Sequence, residues 1–201
     1  MLQRTYEGLD RVALFAVWVG GAALLCAALM VTVDVLSRRI FGVTMGGSDE
    51  ISGYVFAAST TWAYAHCVLR RSNVRIDVLY KLFPRLLRSI IDIVAGIALL
   101  TYMGILTWHA YGALETSWAF NSRSITTLQT PLWIPQGLWF AGLCLFLFTL
   151  TFVLIRAIIT LVKGDLAGVQ AQMGTQTLQE EIEQETLGMD VARPLNEDRD
   201  R

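Results

Sequence analysis

The sequence predicts an all-α integral membrane protein: four transmembrane helices, a short amphipathic interfacial helix between the second and third, and N- and C-termini in the cytoplasm. Three observations carry that prediction. Of 201 residues, 54% are hydrophobic and 16% charged, where about a quarter charged is usual for a soluble globular chain. The apolar residues are gathered into long charge-free runs. The basic residues fall unequally on the two sides of those runs.

Val12 to Val33 is 22 residues without a charge, and at about 1.5 Å per residue it spans the roughly 30 Å hydrocarbon core of a bilayer. It exceeds the roughly 7–15 residues of a signal-peptide apolar region, so it is expected to be retained. Ile51 to Leu69 gives 19 more, with His66 its one ionisable group, and Ile93 to Leu114 gives 22, with His109 inside. The run from Ser124 to Ile155 holds 32 charge-free residues. Its first part is polar and contains Pro131 and Pro135, so the fourth span is expected at about Ile134 to Ile155. Helices are the open-ended solution where no water can pair backbone groups, and the runs are too long and unalternating for barrel strands.

Orientation follows from lysine and arginine. Arg4, Arg11, Arg70, Arg71, Arg75, Lys81, Arg85, Arg88, Arg156 and Lys163 fall on one side, and Arg38, Arg39 and Arg123 on the other. The positive-inside rule therefore places both termini in the cytoplasm. Cys26, Cys67 and Cys144 lie in three different spans and read as small apolar residues, neither a disulfide framework nor a zinc site.

Charge also divides the chain lengthwise. Residues 1–164 form the four-helix membrane domain, with an excess of basic groups; residues 165–201 form an acidic cytoplasmic tail. The tail has few large apolar residues and is expected to be disordered or loosely helical, with a partner-docking helix as the alternative. Between the second and third spans, Val78, Leu79, Leu82, Phe83, Leu86, Leu87 and Ile90 recur at helical spacing, with Arg75, Lys81, Arg85 and Arg88 mainly opposite. Pro84 disfavours helical geometry at Phe83 but suits a first helical position. The reading is a short interfacial helix at about 74–83, a bend, and a fresh helix into the third span. Such a segment either floats at the lipid headgroups or braces a larger partner.

Within the spans, Ala16, Gly20, Ala23 and Ala27 line one face of the first helix, and Gly53, Ala57, Thr61 and Ala65 one face of the second. Small residues let helix backbones approach closely, either inside this unit or against another subunit. Trp118 and Trp133 suit the outer interface. The carboxylates Asp34, Glu50, Asp92 and Glu115 all fall at helix ends, where water is expected within reach. Asp34 and Arg38, four apart, suit an ion pair, and Ser48, Asp49 and Glu50 suit a helix start with acids at its positive end. No ionisable group marks a midplane path, and no pair of interrupted helices marks a transport site. His66 and His109 are separated by about 20 Å of membrane depth, too far for one haem iron, and no covalent haem motif is present. No cofactor, metal or catalytic site is expected.

The order of motifs then points to a family. Asp34-Val-Leu-Ser-Arg38-Arg-Ile-Phe41-Gly42, Glu50 opening the second helix, Arg70-Arg71-Ser-Asn73-Val74-Arg75-Ile-Asp77 after it, and Pro84 before the third together resemble the small, DctQ-like membrane subunit of tripartite ATP-independent periplasmic (TRAP) transporters. The likeness covers about residues 10–160. The family pattern often has His where this chain has Asn73, and the approach to the fourth helix around Pro131 and Pro135 is only loosely similar.

The resemblance implies a non-enzymatic scaffold subunit of a bacterial inner-membrane system for secondary uptake of small organic acids, often driven by sodium symport. Its partners would be a large membrane subunit that carries the transport sites, a periplasmic solute-binding protein, and membrane lipids. No nucleic acid is implied. Arg38, Glu50, Arg70, Arg71, Arg75 and Asp77 are the residues expected to contact the large subunit or lipid headgroups. Two other classes stay open from the residues alone: a quinone- or haem-associated membrane anchor of a respiratory oxidoreductase, and a freestanding four-helix membrane protein.

Overall fold

The computed structural model describes residues 2–71 and 83–174. Four long helices follow one another, α1 (Leu2–Phe41), α2 (Ser48–Leu69), α3 (Arg85–Ala119) and α4 (Trp133–Val162), and a short α5 (Leu166–Met173) closes the described chain. Among the described residues there is no strand; an isolated bridge pairs Arg123 with Pro131 in the α3–α4 loop.

Three of these helices are long and apolar enough to cross a membrane, over Gly8–Phe41, Leu86–Ala119 and Trp133–Val162. The remaining long helix, α2, has 22 residues, about 33 Å at 1.5 Å per residue, so length does not set it apart. Its hydroxyls do, because Ser52, Ser59, Thr60 and Thr61 lower its hydropathy. Inside the helix those groups are satisfied: Thr60 Oγ1 donates to the Phe56 carbonyl at 2.7 Å and Thr61 Oγ1 to the Ala57 carbonyl at 3.0 Å.

The helix ends show why the chain turns where it does. Gly42, at φ 69°, follows α1 in the left-handed conformation that relieves a helix C-terminus, its N–H donating to the Arg38 carbonyl at 3.2 Å. Pro84 stands immediately before α3 with extended backbone, as a ring that cannot continue a helix backwards should. The fresh helix expected after the bend therefore starts at Arg85; the interfacial helix at about 74–83 lies almost wholly outside the described residues. Pro135 sits in the first turn of α4, where its missing N–H has no intrahelical partner to lose. The fourth span was expected at about Ile134 to Ile155; the helix runs on to Val162, and the Arg156 guanidinium lies over the Tyr6 ring, 5.2 Å from its centroid.

Side by side, the helices follow the order α1, α2, α4, α3, with α5 laid against α3 and α4. The core lies along α4, where Leu143, Phe146, Leu150, Val153 and Ala157 are all buried at the three- and four-residue steps of left-handed helix packing. On α1 the buried positions are Leu9, Ala13, Ala16, Gly20, Ala27 and Asp34, a stripe of the same period facing α2. The small residues of the first helix thus serve packing within this chain: Ser59 Oγ on α2 donates to the Gly20 carbonyl at 3.2 Å. On the second helix Thr61 and Ala65 are buried but Gly53 is exposed. Its stripe joins the core only at its Ala65 end.

Because α1 and α3 stand at the two edges, each leaves a broad apolar face uncovered. Phe15 and Trp18 on α1 are 70% and 73% exposed, and Tyr102 and Trp108 on α3 are 65% and 75% exposed. Beyond Gly164 the chain turns, the Asp165 side chain caps α5 by accepting from the Gly168 N–H at 2.8 Å, and Val169 and Met173 are buried. The boundary drawn at 164/165 therefore precedes one more packed helix, and residues 175–201 lie outside the described residues.

Candidate functional site

Polar chemistry concentrates at the two ends of the helix layer. At the end where α1 meets α2, Asp34 is 1% exposed and gathers the connecting loop. Its Oδ2 accepts from Arg38 Nη2 at 3.0 Å and Ser48 Oγ at 2.9 Å; its Oδ1 accepts from Thr44 Oγ1 at 3.1 Å and the Met45 N–H at 2.6 Å. This corrects one expectation from the sequence. The carboxylate was expected within reach of water, and the structure turns it inward because four donors converge on it. The helix start expected at Ser48, Asp49 and Glu50 is observed: α2 begins at Ser48 with both acids in its first turn, Gly47 is the N-cap, and the Ser48 hydroxyl serves Asp34. The expected ion pair to Arg38 is present, with the arginine side chain 57% exposed. Asp92 is likewise buried, at 1% exposure, beside Ser89 on the inner face of α3.

Glu50, in the first turn of α2, clamps the α3–α4 loop. Its two oxygens accept from Thr126 Oγ1 in that loop and from Tyr54 Oη one turn along α2, the latter at 2.7 Å. Thr127 Oγ1 adds a bond to the Gly46 carbonyl at 3.1 Å. At the ends of α3 and α4, Trp118 and Trp133 meet edge to face, their centroids 4.9 Å apart. The Thr126 and Tyr54 hydroxyls hold the Glu50 carboxyl below the usual carboxylate range. A depressed folded-state pKa contributes stability above the unfolded value and loses it as pH falls through the folded one. Amide exchange over residues 122–131 should accordingly speed up as pH drops below about 4 after correction for intrinsic rates. Glu50→Gln should exchange fast at every pH; a pH-independent wild type would show that the clamp carries no linkage.

The opposite end is basic. Arg70, just past α2, donates from Nη2 to Asp10 Oδ2 on α1 at 3.3 Å, an exposed pair of the kind that contributes up to about 1 kcal/mol. Arg71 Nη1 reaches the Gln170 carbonyl on α5 at 3.5 Å. Tyr6 Oη donates to the Leu69 carbonyl at 3.2 Å. Of the expected contact residues, Arg38 and Glu50 share one end and Arg70 and Arg71 the other, while Arg75 and Asp77 lie outside the described residues. Tyr6, Arg156 and Gln172 were missed. They stand far apart in sequence, and no local pattern joins them.

Between the ends, a groove of about 300 Å³ separates α1 from α2, lined by Phe15, Ala16, Gly20, Ala58 and Trp62 among others, with Trp62 Nε1 donating to the Leu138 carbonyl at 2.9 Å. His109 is exposed on α3, and among the described residues no group of three or more His, Cys, Asp or Glu could hold a metal ion.

Comparisons with curated proteins and with solved structures gave no match. A family model does match: the DctQ component of tripartite ATP-independent periplasmic transporters, over residues 27–164. That stretch takes in Asp34 and its loop, the Glu50 clamp and all of α2, α3 and α4, and omits Tyr6, Asp10 and α5. With well over half of the chain matched from the Asp34 end to the close of the fourth long helix, the protein belongs to the DctQ component family of TRAP transporters.

Proposed function

We propose that this chain is the scaffold of its transporter: it holds a large membrane subunit in place and does not translocate solute itself. The observation that carries this reading is the open helix layer, whose edge helices α1 and α3 present apolar faces within membrane-spanning segments. The buried carboxylate Asp34 and the half-buried Glu50 are used to fasten loops, which suits a rigid support better than a moving ion site. A periplasmic solute-binding protein delivers the solute, a small organic acid, and secondary uptake proceeds through the large subunit by symport in the bacterial inner membrane.

In this reading α2 is the fourth span. It lies between α1 and α4, and its hydroxyls are bonded to carbonyls, which is what lets a hydroxyl-rich helix sit in lipid. The excess of basic residues on one side places both termini in the cytoplasm, with residues 1–164 as the membrane domain and the acidic remainder beyond it.

Reconstitution tests the proposal directly. Vesicles holding this chain alone should take up no solute, whereas vesicles holding it with its large subunit and binding protein should. Photo-crosslinkers at Trp18 or Trp108 should capture the large subunit, and one at the buried Leu143 should not. Uptake by the small chain alone would overturn the scaffold role.

A further inference from the structure

At the basic end the structure holds a cleft of about 470 Å³, lined by Tyr6, Val68, Leu69, Arg71, Arg156 and Gln172 among others. That volume lies within the roughly 300–1,000 Å³ of ordinary small-molecule sites. We infer that this cleft binds the headgroup of an acidic phospholipid, with the phosphodiester between the Arg71 and Arg156 guanidiniums. The inference rests on the chain's membrane-spanning helices and is independent of the scaffold reading.

Several features converge on that ligand. Among the described residues lining the cleft there are two arginines and no carboxylate, so its field favours an anion. Arg156 places its ring-facing side on Tyr6, and among the described residues no hydrogen bond or ion pair uses its N–H groups. Arg71 is tethered to the Gln170 carbonyl and has further interactions; it acts as a guanidinium fixed at the rim. Gln172 donates from Nε2 to Thr160 Oγ1 at 3.1 Å, which leaves its Oε1 buried with no partner. A glycerol hydroxyl on the headgroup is a donor that would satisfy it. The rest of the lining, Val68, Leu69, Val153 and Gly168, is apolar, with the three larger residues buried as the floor of the cleft, and Val153 belongs to a helix long and apolar enough to cross a membrane. The location also fits, since arginines at the ends of apolar helices meet headgroups.

The test is lipid retention by the purified full-length chain, read by native mass spectrometry after exposure to phosphatidylglycerol, to phosphatidylcholine, or to phosphatidylglycerol with excess glycerol 3-phosphate. Phosphatidylglycerol should be retained over phosphatidylcholine. Arg156→Gln and Arg71→Gln should each lower that retention about fivefold, the loss of one basic group near an anionic surface. Arg156→Lys should keep most of it, and Arg123→Gln, at the far end, should match the wild type. Helicity by circular dichroism checks that each variant is folded; should Arg156→Gln fail, Arg71→Gln and the wild-type lipid preference decide. Equal retention of the two lipids by the wild type, or equal retention by wild type and glutamine variants, would overturn the site. Displacement by glycerol 3-phosphate would assign it to a soluble phosphate and overturn the lipid.

Discussion

Replacing Asp34 with asparagine should lower the melting temperature of the purified protein in detergent by on the order of 10 °C, more than any other single polar substitution at that end. The carboxylate accepts from a guanidinium, two hydroxyls and a backbone N–H at once. Bonds to an ionised acceptor are roughly twice as strong as neutral ones, and an amide offers a donor where one oxygen stood. Its NH₂ would face the Met45 N–H or the Arg38 guanidinium, neither of which can accept, setting donor against donor and leaving a buried group unsatisfied. Arg38→Gln should do less, because that side chain is 57% exposed and water replaces its bond. Ser48→Ala should fall between. The loop over residues 42–47 should lose exchange protection in the same order, since Asp34 holds Thr44 and Met45 in place. An Asp34→Asn protein melting within about 2 °C of the wild type would mean that the convergence of donors does not stabilise the fold.

The second large effect is steric. Gly142, on the buried face of α4, lies so close to α2 that a methyl added there would meet Thr61 Oγ1 at 2.5 Å and Trp62 Cδ1 at 2.7 Å. Neither neighbour can retreat cheaply: Thr61 is bonded to its own helix at the Ala57 carbonyl, and Trp62 to the Leu138 carbonyl on α4. Gly142→Leu should therefore prise α2 from α4 and destabilise the protein by about 1–3 kcal/mol, as overpacking of a close-packed interior does. In a layer where α1 packs on α2, that displacement carries α1 with it. Recovery of the large subunit should fall along with stability if α1 forms part of its docking face. Gly112 provides the contrast, because an added methyl there meets nothing within 4 Å. Gly112→Ala should be neutral or slightly stabilising, since alanine favours a helix interior over glycine by roughly 1 kcal/mol. Equal effects from the two substitutions would remove the close approach as an explanation.

Much of this was open to reading from residues in order. The spans of α1, α3 and α4 follow from charge-free length alone, because lipid leaves a long apolar run few other structures. The Asp34–Arg38 pair follows from one helical turn, and the break at Pro84 from a ring that cannot continue a helix. What determines each of these lies within a few residues of chain. The family resemblance was legible for the same reason, as its motifs sit at helix ends and keep their order.

Contacts between distant segments were not legible, and they shape the polar ends. Nothing in the stretch around Glu50 foretells Thr126, and nothing near Tyr6 foretells Arg156. Asp34 reads as a solvent-facing terminal acid until the loop folds back to bring Thr44, Met45 and Ser48 onto it, after which burial is favourable because every lost water is replaced by a donor. Local composition and periodicity sufficed to read the long helices, the segments apolar enough for a membrane and the basic end, since each of these is a property of neighbouring residues. Packing settled the rest: the helices lie in the order α1, α2, α4, α3, the small residues of α1 face α2, and two arginines frame a cleft. Those outcomes depend on which faces meet, and a helix's sequence states that it has an apolar face without naming the neighbour that covers it.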